Sequence, residues 1–406
     1  MHDAFYLNEQ HFAIRDMVRS FARDEVAPVA SALDASQEFP WANVKRMGEL
    51  GLLGIPWPES LGGAGFDTLS FMIAIEEMAK VCASHAITIS AHTTLGTSPI
   101  VNFGTDAQRK RFVPLLAPGR VLGGFGLTEP GAGSDAGGTQ TRAVRKGDRF
   151  ILNGTKRFIT HGGVGEVFVV TARTSEGQGT KGISSFIVTK HTSQPKQASA
   201  AGFGHEPSLQ AMKGFRAGKK EDKLGWRASD TCELIFEDVE VPEENLLGPE
   251  GQGFTNFMRT LDNGRIGIAA LSIGLAQGAL DQSITYTSTR KQFGKAIAEF
   301  QGVHFTLSDI ATQIEAGRHL VYHAAWLAQN KHPFTKEAAM AKLFCSELAM
   351  RATIAAVQLH GGYGYTREFP VERMMRDAKI GEIGEGTSEI QRIVIARHLL
   401  KDLARI

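Results

Sequence analysis

"DRFILNGTKRFIT", residues 148–160, sets an Asn153-Gly154 pair between runs of apolar and β-branched residues. Asn-Gly is the strongest short-range signal for a two-residue hairpin, because both residues tolerate the positive φ that the turn demands. The stretch therefore predicts two strands turning at 153–154. "GEVFVVTART" (165–174), "GISSFIVTK" (182–190) and "TCELIFEDVEV" (231–241) share its texture and read as further strands. The zone from Gly123 to Pro242 is thus expected to be a β-sheet domain.

Outward from that zone the period changes to that of helices. On the N-terminal side "NEQHFAIRDMVRSFARDEVAP" (8–28) carries Phe12, Met17, Val18 and Phe21 on one stripe and is expected to stop at Pro28. "WANVKRMGELGLLGI" (41–55) and "FDTLSFMIAIEEMAKVCA" (66–83) repeat that logic. Beyond Pro242, residues 267–290, 303–330 and 336–360 are long and rich in Ala, Leu and Ile at helical spacing. Such helices pack against each other in a bundle, with faces left over for another subunit. The expected domains are 1–122 (helical), 123–243 (sheet) and 244–406 (bundle). A Gly-, Ser- and Gln-rich insertion at about 191–215 reads as a surface loop.

Composition narrows the function classes. In 406 residues, 44 basic side chains face 43 acidic ones, which gives no electrostatic reason to expect nucleic acid or an anionic membrane as partner. Cys82, Cys232 and Cys345 are far apart and lack metal-ligand spacing, so neither a disulfide framework nor a metal site is expected. The longest apolar segment, Ile266 to Leu280, is too short to span a bilayer, and "MHDAFYLNEQ" at the start has no apolar or Arg-rich leader. The expected location is cytoplasmic.

Several stretches have the residue types that chemistry needs. "GGFGLTEPGAGSD" (123–135) combines glycines, which let backbone N–H groups approach a ligand, with the hydroxyls of Thr128 and Ser134; it also reads as an ordinary Gly/Pro turn. It lacks the surrounding parallel βαβ unit of a dinucleotide fingerprint, and neither a GK[ST] phosphate loop nor a G-x-S-x-G elbow is present. "RKQFG" (290–294) and "FQG" (300–302) supply a guanidinium suited to a pyrophosphate, or else a solvated helix end. "IGEGTSEIQ" (383–391) isolates Glu385 between two glycines, just before a helix that Ser388 and Gln391 are spaced to cap. Taken alone, Glu385 reads as a solvated acid in a glycine-rich turn.

The order of these motifs is more specific than any one of them. "LTEPGAGSD" (127–135), "RFIT" (157–160), "KEDKLGWRASDTCELIFEDVEVP" (220–242), "RKQFG" and "QLHGGYGYTREFPVERMMRDAKIGEIGEGTSEIQRIVIAR" (358–397) together resemble the acyl-CoA dehydrogenase family over essentially the whole chain. The resemblance implies an α+β fold with an N-terminal helical domain, a middle β-sheet domain and a C-terminal four-helix bundle. It also implies a homotetramer or dimer holding FAD between subunits, an acyl-CoA substrate, and electron delivery to an electron-transfer flavoprotein. By position, Phe125, Leu127, Thr128, Ser134, Phe158, Ile159 and Thr160 match residues lining the flavin. Arg290, Gln292, Phe293, Gln301, Gln358, Gly361 and Gly362 match those reaching the FAD of a neighbouring subunit. Thr387 and Glu389 follow the catalytic loop, while Ser134, Asp262, Arg265, Gly384 and Gly386 fall at the acyl-CoA.

Glu385 matches the base of most members: it takes the α-proton of the thioester while the β-hydrogen leaves as hydride to the flavin. Its own backbone N–H, with a flavin hydroxyl, would stabilise the enolate. Burial should raise its pKa toward the working pH. Some relatives carry the base on a bundle helix, at the position of Gly264 here. Two departures stand out: Phe158 replaces a Trp, and Gly384 replaces a Tyr common in straight-chain enzymes, which points to a branched or bulky acyl group. No Lys or Arg lies between Lys80 and Arg109 to pair a second carboxylate, so a glutaryl-type substrate is set aside. Rival readings are an oxidase, an enzyme acting on carrier-bound acyl groups, and a non-catalytic helical scaffold.

Overall fold

The computed structural model of the chain describes residues 7–191 and 210–403, so most of the insertion expected at about 191–215 lies outside the described residues. The middle zone is a seven-stranded sheet of β1 (Gly123–Gly126), β2 (Arg142–Lys146), β3 (Arg149–Thr160), β4 (Val167–Arg173), β5 (Ile183–Thr189), β6 (Phe215–Ala217) and β7 (Thr231–Pro242). Its order is β1-β4-β2-β3-β7-β6, with β5 also paired to β4. Only β1–β4 and a single β2–β4 contact are parallel.

The Asn153-Gly154 pair is not a turn. β3 runs straight through it, and the hairpin turns at Gly147-Asp148, where Lys146 pairs with Arg149 and Gly147 takes φ +64°. At 153–154 the β3–β7 register slips, a bulge in which the Asn153 side chain accepts from Asp238 N–H at 2.9 Å. Gly154 is needed because β3 passes so close to Thr141 that a Cβ would sit 2.7 Å from the Thr141 Cα. The permissiveness that suggests a turn here serves a close crossing instead.

The first helix, Glu9–Phe21, is capped by Asn8 and buries Ile14, Val18 and Phe21, with Phe12 and Met17 at the margin. It does not stop at Pro28. The chain passes through a π segment, Ala22–Val26, into a second helix, Ala27–Ser36, whose first turn holds Pro28, where a missing N–H costs no hydrogen bond. The C-terminal zone is built on the helices Gly253–Thr289, Gln301–Gln329, Thr335–His360 and Ser388–Leu403.

Packing joins these zones in a way that places the site. One apolar cluster unites the N-terminal helices with the bundle, as Val18, Phe71 and Ile75 pack with Ile268, Leu271, Val321 and Leu348. The sheet has its own core around Phe150, Leu152, Phe168, Phe186 and Phe236. A third cluster lies where all three meet and contains Phe112, Phe125, Val169 and Phe257, with Leu95, Leu127 and Leu261 at its edge. Among the described residues no helix is long and apolar enough to cross a membrane, and no His, Cys, Asp and Glu cluster suits a metal ion.

Candidate active site

Glu385 lies in a tight turn between the short helical segment Lys379–Glu382 and the Ser388–Leu403 helix. The turn requires φ +53° at Glu385 and +95° at Gly386. A Cβ at Gly386 would stand 2.7 Å from Gln391 Nε2, so position 386 admits only glycine without rearrangement. A glutamate at positive φ is uncommon and needs neighbours that over-determine it. Two donors do so: Lys342 Nζ gives a hydrogen bond to Gly386 O at 2.7 Å, and Gln391 Nε2 gives one to the same oxygen at 2.8 Å. The cap of the following helix is Thr387, whose hydroxyl accepts from Ile390 N–H at 3.3 Å. Ser388 does not cap; its hydroxyl is buried without a partner, and Gln391 turns its side chain toward the Glu385 and Gly386 carbonyls.

One oxygen of the carboxylate is enclosed, although the residue as a whole is half-buried. Glu385 Oε2 is cut off from solvent and has no hydrogen-bond partner, and the carboxylate rests against Gly264 so closely that a Cβ there would overlap Oε2. A side chain at position 264 and the carboxylate of Glu385 would therefore share one space. Burial pushes the Glu385 pKa up to about 7, against the downward pull of Lys342 and, less, of Arg265. Arg265 itself is neutralised by Asp262 at 2.5 Å, and Asp262 also accepts from Thr335 Oγ1 at 2.7 Å. Among the described residues the Glu385 N–H has no acceptor, which leaves it available as a donor beside its own carboxylate.

The third cluster connects this turn to the sheet. Leu95 Cδ2 would lie 3.3 Å from a Gly264 Cβ and also packs beside Phe125 and Leu127. Phe125 stacks on Phe257, centroids 3.9 Å apart. Thr128 is half-buried and Ser134 exposed on the loop that follows β1. Beneath that loop Lys156, fully buried, donates to Leu127 O at 3.2 Å and to Glu129 Oε1 at 2.7 Å. Glu129 in turn accepts from Gln140 N–H and Thr141 N–H.

On β3 a second bulge places Phe158 at φ +58° with 58% of its surface exposed. Ile159 differs from expectation: its side chain is buried in the sheet core, so only its backbone can face a ligand. Thr160 is half-buried.

The second expected set lies on the outside of the bundle. Arg290, Gln292, Gln301, Gln358, Gly361 and Gly362 are exposed, and Phe293 is 93% exposed at φ +50°; after the catalytic turn, Thr387 is half-buried and Glu389 exposed. Arg290 sits 5.6 Å from the Tyr363 ring centroid and borders a cavity of about 320 Å³ with Tyr286 and Phe369. Within one chain this set is not joined to Glu385 by any hydrogen bond or ion pair among the described residues. Sequence reasoning passed over Lys342, Lys156 and Glu129. Lys342 carried a signal, being a single Lys on the buried face that also holds Ala338, Ala341 and Cys345.

Glu385 thus brings together a buried, unpartnered carboxylate oxygen, a pKa raised by burial and a backbone N–H without an acceptor among the described residues, the groups that proton transfer at a carbon acid requires. Models of the acyl-CoA dehydrogenase N-terminal, middle and C-terminal domains match residues 8–120, 124–239 and 251–400, and the chain belongs to the acyl-CoA dehydrogenase family. It is 49% identical to the short-chain-specific acyl-CoA dehydrogenase of Clostridium acetobutylicum, over 98% of this chain and 100% of that protein. The structure of butyryl-CoA dehydrogenase from Megasphaera elsdenii superposes with a TM-score of 0.91 at 43% identity, covering 98% and 100% of the two chains. A chain from work on the electron transferring flavoprotein of Acidaminococcus fermentans and flavin-based electron bifurcation gives 0.92 at 47% identity, covering 98% and 100%.

The protein is an oxidoreductase acting on acyl-CoA, and the family is FAD-dependent. The residues present fit that cofactor. Phe158 is held in left-handed backbone with 58% of its surface exposed and the Arg157 guanidinium 5.1 Å from its ring centroid, which leaves ring surface for a planar ligand, and a Cβ at Gly361 or Gly362 would meet nothing within 4 Å, leaving both backbones open to approach.

Proposed function

We propose that the enzyme dehydrogenates short acyl-CoA thioesters between the α and β carbons with Glu385 as the base, and that electrons pass to an electron-transfer flavoprotein. The observation that carries this reading is the enclosed, unpartnered Oε2 of Glu385, with its pKa brought to about 7. A general base works best when its pKa lies near the operating pH. FAD, when bound, supplies the hydride acceptor for the β-hydrogen. Glu385 takes the α-proton onto its carboxylate, and the Glu385 N–H donates to the thioester oxygen, where negative charge develops as that proton leaves. The apolar junction of Leu95, Phe125 and Leu127 excludes water from the reacting carbons. Phe125, Leu127, Thr128, Ser134 and Phe158, with the backbone of Ile159 and Thr160, form the flavin wall of one subunit. Arg290, Gln292, Phe293, Gln301, Gln358, Gly361 and Gly362 complete the same site of a second copy in a homotetramer.

Short acyl groups follow from the C. acetobutylicum and M. elsdenii relatives. A branched acyl group is the further expectation from Gly384, where a Cβ would meet only Ile380, its O at 3.5 Å and its Cγ1 at 3.8 Å. The three cysteines, all free and buried, suit the cytoplasm. The test is to mix FAD-loaded protein anaerobically with straight, branched and long acyl-CoAs and follow the flavin absorbance, with Glu385→Gln alongside. Rapid bleaching by short substrates and at least about a hundredfold slower bleaching in the variant are expected. Near-normal bleaching in Glu385→Gln would remove Glu385 from the mechanism.

A further inference from the structure

The Thr335–His360 helix places an ammonium in a site with no solvent exposure, the side chain of Lys342. A buried lysine is expensive to keep, and burial lowers its pKa to about 8 even with Glu385 beside it. Its Nζ has a fixed target, the carbonyl of Gly386, which is covalently the next residue after the base.

The nearest other charges around the turn are held in pairs. On the Gly253–Thr289 helix, Arg265 is held by Asp262 at 2.5 Å. On the segment before the turn, Glu382 is held by Lys379 at 2.6 Å. On the Ser388–Leu403 helix, Glu389 is exposed and acts on Lys342 less than Glu385 does, and His398 acts on Asp262 rather than on Glu385. Lys342 has no ion-pair partner within 4 Å among the described residues. It is therefore the one cation at the turn whose charge is not spent on a nearer acid.

We propose that Lys342 is a positioning residue for the reaction: its ammonium ties down the strained turn through the Gly386 carbonyl and supplies the uncompensated positive charge that keeps the buried Glu385 carboxylate ionised. The inference rests on Glu385 being the base. Loss of the charge leaves burial to act on Glu385 with only the Asp262-bound Arg265 opposing it, so the carboxylate ionises at higher pH and the acid limb of the rate moves up.

The experiment compares FAD-loaded wild type, Lys342→Met, Lys342→Gln and Lys342→Arg in anaerobic flavin reduction by a short straight-chain acyl-CoA, between about pH 5 and 9. Lys342→Met should shift the midpoint of the acid limb upward by about one pH unit or more, so that the rate on that limb falls roughly tenfold while the alkaline plateau is largely kept. Lys342→Gln retains a donor for Gly386 O without the charge and should shift equally; Lys342→Arg should stay near wild type. Loss by the same factor at every pH, with an unmoved midpoint, overturns the proposal. A second readout needs no Lys342 variant: the wild-type infrared band of the protonated carboxyl, assigned by its loss in Glu385→Gln, should disappear around neutral pH, and its persistence above about pH 9 also overturns the proposal. These outcomes are separate from failure of the base assignment, which shows as turnover in Glu385→Gln.

Discussion

Gly264→Ala adds one methyl group at the most sensitive point of the site. The new Cβ would overlap Glu385 Oε2, stand 3.0 Å from its Cδ and 3.3 Å from Leu95 Cδ2. Its main obstacle is the far end of a flexible side chain, so the carboxylate yields rather than the helix. Position 264 lies inside the Gly253–Thr289 helix, where Ala is favoured over Gly by about 1 kcal/mol, so the fold should lose little or nothing. The base, however, must swing aside by on the order of 1 Å, and a misplacement of that size costs about 100-fold. In barrier height this is roughly 2.7 kcal/mol. The assay is stopped-flow flavin reduction under anaerobic conditions, with FAD content and melting temperature measured on the same preparation. The expected result is a fall in the reduction rate at saturating acyl-CoA with unchanged cofactor content and stability. A wild-type rate would show that the carboxylate does not work from its place against Gly264, and a large loss of stability would show that the helix, not the base, gives way.

Two other predictions concern groups away from the reacting carbons. Lys156→Met leaves the buried Glu129 charge without a cation, with only the Thr139 hydroxyl and the Gln140 and Thr141 N–H groups donating to it, which should destabilise the protein by about 3–5 kcal/mol and weaken FAD retention, because Lys156 also holds Leu127 O; denaturant unfolding and bound-flavin content check both. Asp377 is pushed up to about 7, first by burial, while its Oδ1 accepts from Trp226 N–H at 2.6 Å. A carboxyl whose folded pKa lies above its unfolded one makes stability fall as pH rises from about 4 to about 7, and level off above. Asp377→Asn keeps the acceptor and removes the charge, so melting curves should lose that part of the slope and the variant should be the more stable one on the alkaline side; identical pH profiles for the two proteins would refute the account.

Much of the fold was legible because it is written in local periodicity. The stripe in residues 9–21, the apolar runs of β4, β5 and β7 and the long bundle helices each declare themselves within a dozen residues. The misreadings occur where one local signal has two structural uses. Asn-Gly permits unusual backbone, which a hairpin turn needs and a bulge or close crossing needs equally; only Thr141, across the sheet, decides between them. Pro28 ends a helix or begins one depending on the residues before it, and here a π segment delivers it to a first turn. The spacing of Ser388 and Gln391 is that of a cap, yet Gln391 is drawn away by carbonyls that only the strained turn exposes.

The site divides along the same line. Glu385 could be singled out because its flanking glycines sit beside it in the chain, and the order of motifs assigned it a chemistry. What makes it a base is not adjacent to it. Gly264 lies on another helix; in the sequence it shows only that an alternative base position is empty, and that the carboxylate rests against it appears only in the fold. Lys342 is likewise remote in sequence, and within its own helix it reads as an interruption of an alanine-rich face. A buried cation opposite a buried acid is weak evidence for stability, since the desolvation cost of the two charges can exceed their attraction. Here the cation bonds to the backbone of the strained turn rather than to the acid, so it can restrain the loop and bias the titration without quenching the carboxylate in an ion pair. A direct Lys342–Glu385 pair would hold the base ionised but tie up the oxygen that must reach the α-proton; the observed geometry leaves Oε2 without a partner for that purpose.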